Sequence, residues 1–180
     1  PCANLMSGAN VPNNFYGNQM AAEGESYAGF LAYGNDNSRS YAEVVLTDTL
    51  VVGETYCVNF DVSLADFTYV AVQNIGLYFA FDTLAMANGG VHLGYTPDIV
   101  NDNGILNNKS GWVTISGTFV ADLPYTSLII GNFKSNSNST VQDLSIPGVE
   151  GPLVEQGYYY LDNVSVTAVP EVTFTYSPDN

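Results

Sequence analysis

The chain has very few positively charged side chains. Three lysine and arginine residues and one histidine stand against 18 acidic residues, which gives a net charge of −15. Nucleic-acid binding requires clustered lysine and arginine, so nucleic acid is excluded as a partner. An anionic membrane surface is disfavoured for the same reason. The acidic residues either keep the protein soluble or attract metal cations, for which extracellular calcium is the first candidate.

Catalytic and membrane-spanning patterns are also scarce. His92 is the single histidine, so a histidine metal cluster is excluded, and no G-x-S-x-G nucleophile motif occurs. No apolar run approaches the roughly 18 residues that a membrane helix needs. We therefore expect no enzymatic activity and no membrane insertion, although the composition leaves room for a glycosidase pair among the acidic residues.

Cysteine is rare, and its two occurrences leave two interpretations open. In an oxidising compartment Cys2 and Cys57 would form a disulfide. Such a disulfide closes a loop of about 55 residues and contributes roughly 4 kcal/mol. The alternative is two free thiols. The chain shows no signal peptide and begins with Pro1, so we expect it to be processed or trimmed.

Charged residues of both signs make up only 12% of the chain, well under the roughly 25% of an ordinary soluble domain. The polar surface must therefore consist mostly of Asn, Ser, Thr, Gly and Tyr. This composition is typical of extracellular β modules and unusual for a cytosolic enzyme. It predicts an extracellular or cell-surface location.

Apolar residues alternate at a period of two in many short segments, and no long stretch follows a helical period. Turn-forming runs of Gly, Asn and Pro separate these segments. Many short strands with such turns indicate an all-β sandwich or barrel. The predicted strands are 27–33, 41–46, 55–63, 68–73, 75–81, 91–95, 112–120, 127–133, 158–167 and 172–176.

The chain is predicted to hold one domain. Residues 1–169 form the sandwich, and within them residues 1–26 are irregular and lie across it as an ordered loop, because Asn-rich segments resist regular pairing. Residues 170–180 form a C-terminal extension, in which the strand 172–176 follows Pro170.

Asp162 is unusual for its position in a predicted strand. It shares a face with Val164 and Val166, which predicts a carboxylate that points inward. A buried carboxylate needs a partner, and with three basic residues in the chain a calcium ion is a better candidate than a salt bridge. The alternative is an aspartate at the edge of a sheet that is hydrogen-bonded to a loop.

Trp112, the single tryptophan, falls on the polar face of its predicted strand, away from Val113. An exposed aromatic ring on a polar sheet face is suited to stacking on sugar rings, and Tyr33, Tyr78 and Tyr95 would extend such a platform. The alternative is that Trp112 covers a loop or a subunit interface, to which the tyrosine-rich composition is also suited.

Several segments resemble a known family in their order. They are VPNNFYGNQ (11–19), YAEVVLTDTLVVGETYCVNFDVSLAD (41–66), NIGLYFAF (74–81), GWVTISGTFVADLPYTSLIIGNF (111–133) and YYYLDNVSV (158–166). Together they resemble an uncharacterised jelly-roll domain of large secreted Bacteroidota surface proteins, associated with gliding motility and adhesion. That domain is distantly similar to jelly-roll carbohydrate-binding modules. The resemblance, over roughly residues 10–167, implies a jelly-roll β-sandwich of about ten antiparallel strands with long Asn/Gly-rich loops.

The resemblance also implies site residues. The aspartate that matches Asp162 ligates structural calcium in related jelly rolls, and the other ligands would be carbonyls near Glu23 and the side chain of Glu25. Two tripeptides fit the D-[S/T]-apolar pattern on which Bacteroidota O-glycosylate secreted proteins, which makes Thr49 and Thr83 candidate glycan sites.

The chain departs from the family at both ends. It lacks the opening strand of the form N-L-V-x-N-x-x-F-E and has the additional strand 172–176. A sandwich without one strand exposes unpaired backbone, which the strand of a neighbouring subunit would cover by β-augmentation. The alternative is that the opening strand was cleaved and that 172–176 pairs within its own domain.

Two functions remain. The first is an extracellular structural or adhesive module, self-assembling into a surface filament by strand exchange, with copies of itself or other cell-surface proteins as partners. The second is a carbohydrate-binding module of a secreted protein that binds polysaccharide.

Overall fold

The computed structural model describes residues 10–81, 90–148 and 155–170. These residues form short strands and one 3-10 turn, Asn136–Asn138, and hold no helix that is long and apolar enough to cross a membrane. The strands are β1 (Asn13–Asn14), β2 (Gly17–Asn18), β3 (Ala28–Gly34), β4 (Ala42–Val45), β5 (Thr55–Leu64), β6 (Val70–Val72), β7 (Gly76–Ala80), β8 (Ile99–Val100), β9 (Val113–Val120), β10 (Ser127–Gly131), β11 (Val141–Asp143) and β12 (Gln156–Ala168).

Eight of these strands form two antiparallel sheets. Sheet 1 has the order β4-β10-β7-β8 and sheet 2 the order β3-β12-β5-β9. Counted along the chain, the eight strands lie in the orders 2-7-4-5 and 1-8-3-6, which is the double Greek key of a jelly roll. The remaining strands form two short ribbons, β1 with β2 and β11 with β6. The predicted all-β sandwich is confirmed.

The core lies between the inner faces of the two sheets. Along β5, Tyr56, Val58 and Phe60 are buried in it, while the residues between them face outward. Sheet 1 contributes Leu77 and Phe79 to the same cluster. The period-two pattern therefore predicted correctly which side of these strands is buried.

The predicted strand 91–95 is wrong. This segment makes only an isolated bridge between Ser38 and Val91, and it crosses the outer face of sheet 1. Leu93 packs there against Ile129 and Phe133, and Gly94 has a φ of +70°, which interrupts an extended chain. The alternating pattern of residues 91–95 therefore reflects one apolar residue of a loop, Leu93, that packs against sheet 1. The short strands β8 and β11 were not predicted.

Residues 10–26 lie across the outer face of sheet 2. The backbone N–H of Phe67 donates to the carbonyl oxygen of Tyr16 at 2.9 Å, and the N–H of Asn18 donates to Asp66 Oδ2 at 2.6 Å. These hydrogen bonds hold the segment against the sheet without a continuous β-ladder. The predicted strand 172–176 lies outside the described residues.

Candidate functional site

The four aromatic residues predicted to form one platform lie at separate places. Tyr78 projects from the outer face of sheet 1, because both of its neighbours on β7 are buried in the core. Trp112 lies on the outer face of sheet 2, on the polar side of β9. Tyr33 lies near the end of β3, in contact with a buried arginine. Only Tyr78 and Tyr95 meet each other, so the four residues do not form a single platform.

Trp112 covers the N-terminal segment. Its indole Nε1 donates a hydrogen bond to the carbonyl oxygen of Met20 at 3.0 Å. Its ring meets Tyr27 edge-on, with centroids 5.7 Å apart, and the side chain is half-buried. This arrangement corresponds to the alternative interpretation, in which Trp112 covers a loop.

Aromatic rings of the chain itself also cover the part of this outer face beneath residues 14–16. Tyr16 stacks on Tyr158 with centroids 3.6 Å apart, and the Tyr160 hydroxyl donates to Asn14 Oδ1 at 2.8 Å. Burial raises the pKa of Tyr158 to about 12. The cavity beside these rings measures about 160 Å³, below the roughly 300 Å³ at which ligand pockets usually begin. This face therefore has little room for a ligand.

A larger cleft lies on the side of sheet 1. Its volume is about 510 Å³, within the roughly 300–1,000 Å³ of small-ligand sites. The segment 91–98, the chain after β10 and the turns near 74 and 101 enclose it. The apolar lining residues are Ile75, Pro97, Val100 and Phe133, and the polar and aromatic ones include Asn74, His92, Tyr95, Asn101, Lys134 and Asn138.

Tyr95 forms an aromatic wall of this cleft. Its ring stacks on Tyr78 with centroids 4.8 Å apart and an angle of 27° between the planes. Tyr95 nevertheless remains 38% exposed. Phe133, only 3% exposed, packs beneath both rings. Tyr95 is therefore supported by Tyr78 and Phe133 and still has exposed ring surface at the cleft.

The two residues that precede Tyr95 are held in place by hydrogen bonds. The N–H of Leu93 donates to the hydroxyl of Tyr41 at 2.9 Å, and the N–H of Gly94 donates to the carbonyl oxygen of Phe133 at 3.2 Å. The position of Tyr95 is therefore set before any ligand arrives, which lowers the entropic cost of binding.

A buried arginine fixes the opposite wall. Arg39 is 2% exposed, and its guanidinium donates to Ser38 O at 2.7 Å, to Asn136 Oδ1 at 2.7 Å and to Lys134 O at 3.1 Å. Its Nε has no hydrogen-bond partner among the described residues. Burial lowers the pKa of Arg39. Because a buried charge needs such hydrogen bonds, the guanidinium keeps the chain at 134–136 in one place.

Some polar groups of the cleft are already bonded and others are available. Asn101 donates to Gln73 O at 2.9 Å and to Gly104 O at 2.8 Å, so its amide serves the fold. The side chains of Asn138, Lys134 and Tyr95 make no hydrogen bond with other described residues. These three can therefore meet the hydroxyl or acidic groups of a ligand.

Asp162 does not point inward, so that prediction is wrong. Between Asp162 and Ser165, β12 has one more residue than the paired stretch of β5, and Asn163 has a φ of +51°. This β-bulge reverses the faces of the residues that follow it. Val164 therefore packs against the core although Asp162 lies on the outer face. The αL-tolerant Asn163 was the available signal in the sequence.

The carboxylate of Asp162 binds the N-terminal segment. Oδ2 accepts hydrogen bonds from the N–H groups of Ala22 at 2.7 Å and Glu23 at 3.1 Å, and Oδ1 accepts one from Asn163 at 2.8 Å. The side chains of Glu23 and Glu25 are exposed. The described residues contain no group of three acidic, histidine or cysteine residues that could hold a metal. Calcium at Asp162, Glu23 and Glu25 therefore stays a prediction from the resemblance.

We expect Asp162→Ala to lower the free energy of unfolding by about 1 kcal/mol, as the loss of a helix-capping side chain does. The reason is that three backbone N–H groups lose their acceptor. Urea unfolding in EDTA and in calcium measures the change. An equal loss in both buffers is expected; a wild-type protein that EDTA destabilises, with no such effect in the variant, would instead support the calcium site.

The predicted modification sites are only partly within the described residues. Cys57 is exposed on the outer face of β5, whereas Cys2 lies outside the described part of the chain, so the disulfide stays a prediction. Thr49 is exposed in the loop before the buried Leu50, and Thr83 lies outside the described residues. Glycosylation of either threonine stays a prediction.

The sequence interpretation missed most of the cleft. His92 precedes Lys134 by 42 residues and Asn138 by 46, and the two loops that carry them were interpreted only as strand or turn. One signal in the sequence pointed to Lys134. Because the chain has only three lysine and arginine residues, each of them is a candidate for a specific role.

Comparisons with known proteins give limited similarity. No protein-family model matches the chain, and no curated protein is significantly similar to it. A solved structure described as "CBM4 structure and function" is 16% identical, with a TM-score of 0.42 over 82% of this chain and 74% of that one. The CBM22-1 xylan-binding domain from Paenibacillus barcinonensis Xyn10C is 13% identical, with a TM-score of 0.44 over 86% of this chain and 79% of that one. Both are carbohydrate-binding modules by description.

Proposed function

We propose that this protein is an extracellular saccharide-binding module and that the cleft beside Tyr95 holds the ligand. The observation that carries the proposal is the combination of a supported, partly exposed aromatic ring with unused polar side chains in a cleft of about 510 Å³. A sugar ring has one apolar face and a rim of hydroxyl groups, so a site needs an aromatic surface and hydrogen-bonding groups at its edge.

The preorganised framework supports this proposal. Tyr95 rests on Tyr78, and Arg39 holds the chain that carries Lys134. Sites with such support bind with less loss of conformational freedom than flexible loops do. Extracellular binding also fits a surface that has few charges and many amides and hydroxyls.

The module binds saccharide without cleaving it. Hydrolysis of a glycosidic bond requires two carboxyl groups, roughly 5–9.5 Å apart, that face the ligand. None of the described residues that line the cleft is acidic. The cleft therefore supplies recognition groups but not the pair of acids of a glycosidase.

The test is titration of the purified chain with soluble polysaccharides by calorimetry and affinity electrophoresis. The panel contains neutral xylan and β-glucan together with acidic polymers. Saturable binding to at least one member, with perturbation of Tyr95 and Asn138 resonances in NMR spectra, is expected. Absence of binding to every member, or perturbation confined to Trp112 and sheet 2, would contradict the proposal.

A second candidate function is self-association by strand addition, and the edge of sheet 2 favours it. β12 pairs with β5 as far as Ala168 but with β3 only as far as Leu161. Within the described residues, the second half of β12 therefore has no strand on its β3 side. Unpaired strand edges of this kind accept strands from other chains.

A groove follows this free edge. It measures about 490 Å³ and separates β12 from β4, and its apolar lining includes Ala42, Val44, Leu161 and Val164. Val44 is 37% exposed there, and the adjacent Val45 is 65% exposed. An inserted strand would cover these valines and pair with β12.

The sequence after β12 has the alternating pattern that is typical of a strand. Residues 172–176 read V-T-F-T-Y, with alternating apolar side chains. The N–H of Val169 still donates to Thr55 O at 2.8 Å, so the pairing with β5 continues up to Pro170. We propose the strand of a second copy as the occupant, because exchange of this strand between copies would cover the free edge of each.

Self-association is tested by analytical ultracentrifugation over a range of concentrations. We expect concentration-dependent oligomers that are lost on deletion of residues 171–180 and in Val44→Lys, because a charge in the groove opposes burial. Val141→Lys is the matched control, since Val141 is 42% exposed on β11 outside the groove. If the undeleted 180-residue chain stayed monomeric up to millimolar concentration, this function would be eliminated.

A further inference from the structure

The three basic side chains of the chain are used very differently. Arg39 is buried and bonded to carbonyl and amide oxygens. The ammonium of Lys109 donates to Asp66 O at 2.8 Å and to Thr68 O at 2.7 Å, and it lies over the Tyr69 ring. Both charges therefore serve the fold. Lys134 is exposed, and its ammonium forms no ion pair or hydrogen bond with another described residue.

Lys134 lines the same cleft as Tyr95. The chain has 18 acidic residues, yet none of the described residues that line this cleft is acidic. If Lys134 only increased solubility, we would expect it to lie near some of the many carboxylates of the surface. Instead, its unpaired ammonium lines a cleft of ligand size whose described lining contains no carboxylate.

The imidazole of His92 adds a second donor to the cleft. Asn37 Oδ1 accepts a hydrogen bond from the N–H of Asn136 at 2.8 Å, which orients the amide so that its Nδ2 faces His92 Nδ1 at 3.0 Å. Because the amide nitrogen donates, Nδ1 of the neutral ring must accept, and the ring proton lies on Nε2. This N–H makes no hydrogen bond with the other described residues, and His92 is one of the residues that line the cleft.

We infer that the cleft selects saccharides that carry an anionic group, either a uronate carboxylate or a sulfate ester, bound by Lys134 and His92 while a sugar ring lies against Tyr95. This inference rests on the proposed function and specifies its ligand class. A lysine ammonium and an N–H donor suit the oxygens of such a group, and a neutral saccharide would leave the ammonium without a charged partner.

The net charge of −15 does not prevent this selection. At physiological ionic strength the Debye length is about 8 Å, so acidic groups on distant surfaces are largely screened from the ligand. A direct contact with Lys134 in a partly enclosed cleft is screened much less. The local cation therefore outweighs the distant carboxylates at the site, although association remains slower than with a neutral protein.

The test is calorimetric titration at 0.15 M salt with EDTA present, using tetragalacturonate, its fully methylated ester and a sulfated carrageenan tetrasaccharide as probes. The ester keeps the sugar rings and removes the charge. We expect tetragalacturonate to bind about tenfold more tightly than its ester, as expected for a charge-assisted contact. Comparison of tetragalacturonate with the carrageenan probe shows whether carboxylate or sulfate is preferred.

Variants of Lys134 assign the effect to this side chain. Lys134→Gln should remove the difference between acid and ester, and Lys134→Arg should retain it, because arginine keeps the charge. Equal binding of acid and ester by the wild-type protein would overturn the anion preference and leave the saccharide site intact. Binding of neither probe nor any neutral polysaccharide would overturn both.

Discussion

Tyr95→Ala is expected to lower the affinity of the cleft for its saccharide by about 10- to 100-fold. The substitution removes the aromatic wall, and burial of such a ring against a ligand contributes about 1.5–3 kcal/mol, where each 1.4 kcal/mol is about tenfold. Because Tyr95 is 38% exposed, its loss should cost the fold less than about 1.5 kcal/mol. Calorimetric titration and urea unfolding measure the two effects separately.

Two control variants distinguish this cleft from the opposite sheet. Tyr95→Phe keeps the ring and should bind within about fivefold of the wild type, since one hydroxyl contact contributes about 0.5–1 kcal/mol. Trp112→Ala removes the hydrogen bond to Met20 O and the contact with Tyr27, so it should lower stability and leave binding unchanged. If Trp112→Ala abolished binding and Tyr95→Ala did not, the platform predicted from Trp112 would be the site.

The sequence pattern predicted the sandwich well because burial on one face of a strand is a local property. The alternation along β5 and β9 predicted which side chains face the core, and it placed Trp112 on the outer face of sheet 2. The same alternation failed for Asp162, because the bulge at Asn163 shifts the register by one residue. A single inserted residue does not produce a recognisable pattern in the sequence. The same error is therefore expected wherever a β-bulge interrupts a strand.

The binding cleft was less predictable, because contacts through space define it. Tyr78 and Tyr95 were predicted, with Tyr33, to extend a platform around Trp112. They stack on each other instead, and Lys134, which lines the same cleft as Tyr95, comes from the chain after β10. The buried guanidinium that holds that chain belongs to Arg39, 95 residues earlier. In the sequence, the Asn- and Ser-rich loop at residues 135–140 has the composition of an ordinary turn. Only the fold shows that Arg39 and Asn37 bind this loop.

Tyr159→Phe is expected to destabilise the fold by about 2–4 kcal/mol although it removes a single oxygen atom. The Tyr159 hydroxyl accepts a hydrogen bond from Val72 N–H at 2.8 Å and donates one to Leu106 O at 2.8 Å. Tyr159 and Val72 are both 0% exposed, so water does not replace the lost partner. Each buried backbone group left unsatisfied costs about 1–3 kcal/mol. Urea unfolding followed by circular dichroism measures the loss.

The position of Tyr159 connects this loss to the binding site. Its hydroxyl joins β6 to the loop that also carries Asn101, and Asn101 lines the cleft. We therefore expect Tyr159→Phe to weaken ligand binding only at urea concentrations near the unfolding transition, in proportion to the fraction of unfolded protein. At low urea concentration, binding should be unchanged. Tyr33→Phe is the matched control, because the Tyr33 hydroxyl makes no hydrogen bond with the described residues; its unfolding free energy should change by less than about 0.5 kcal/mol. Equal losses in the two variants would show that the hydroxyl of Tyr159 does not hold this loop.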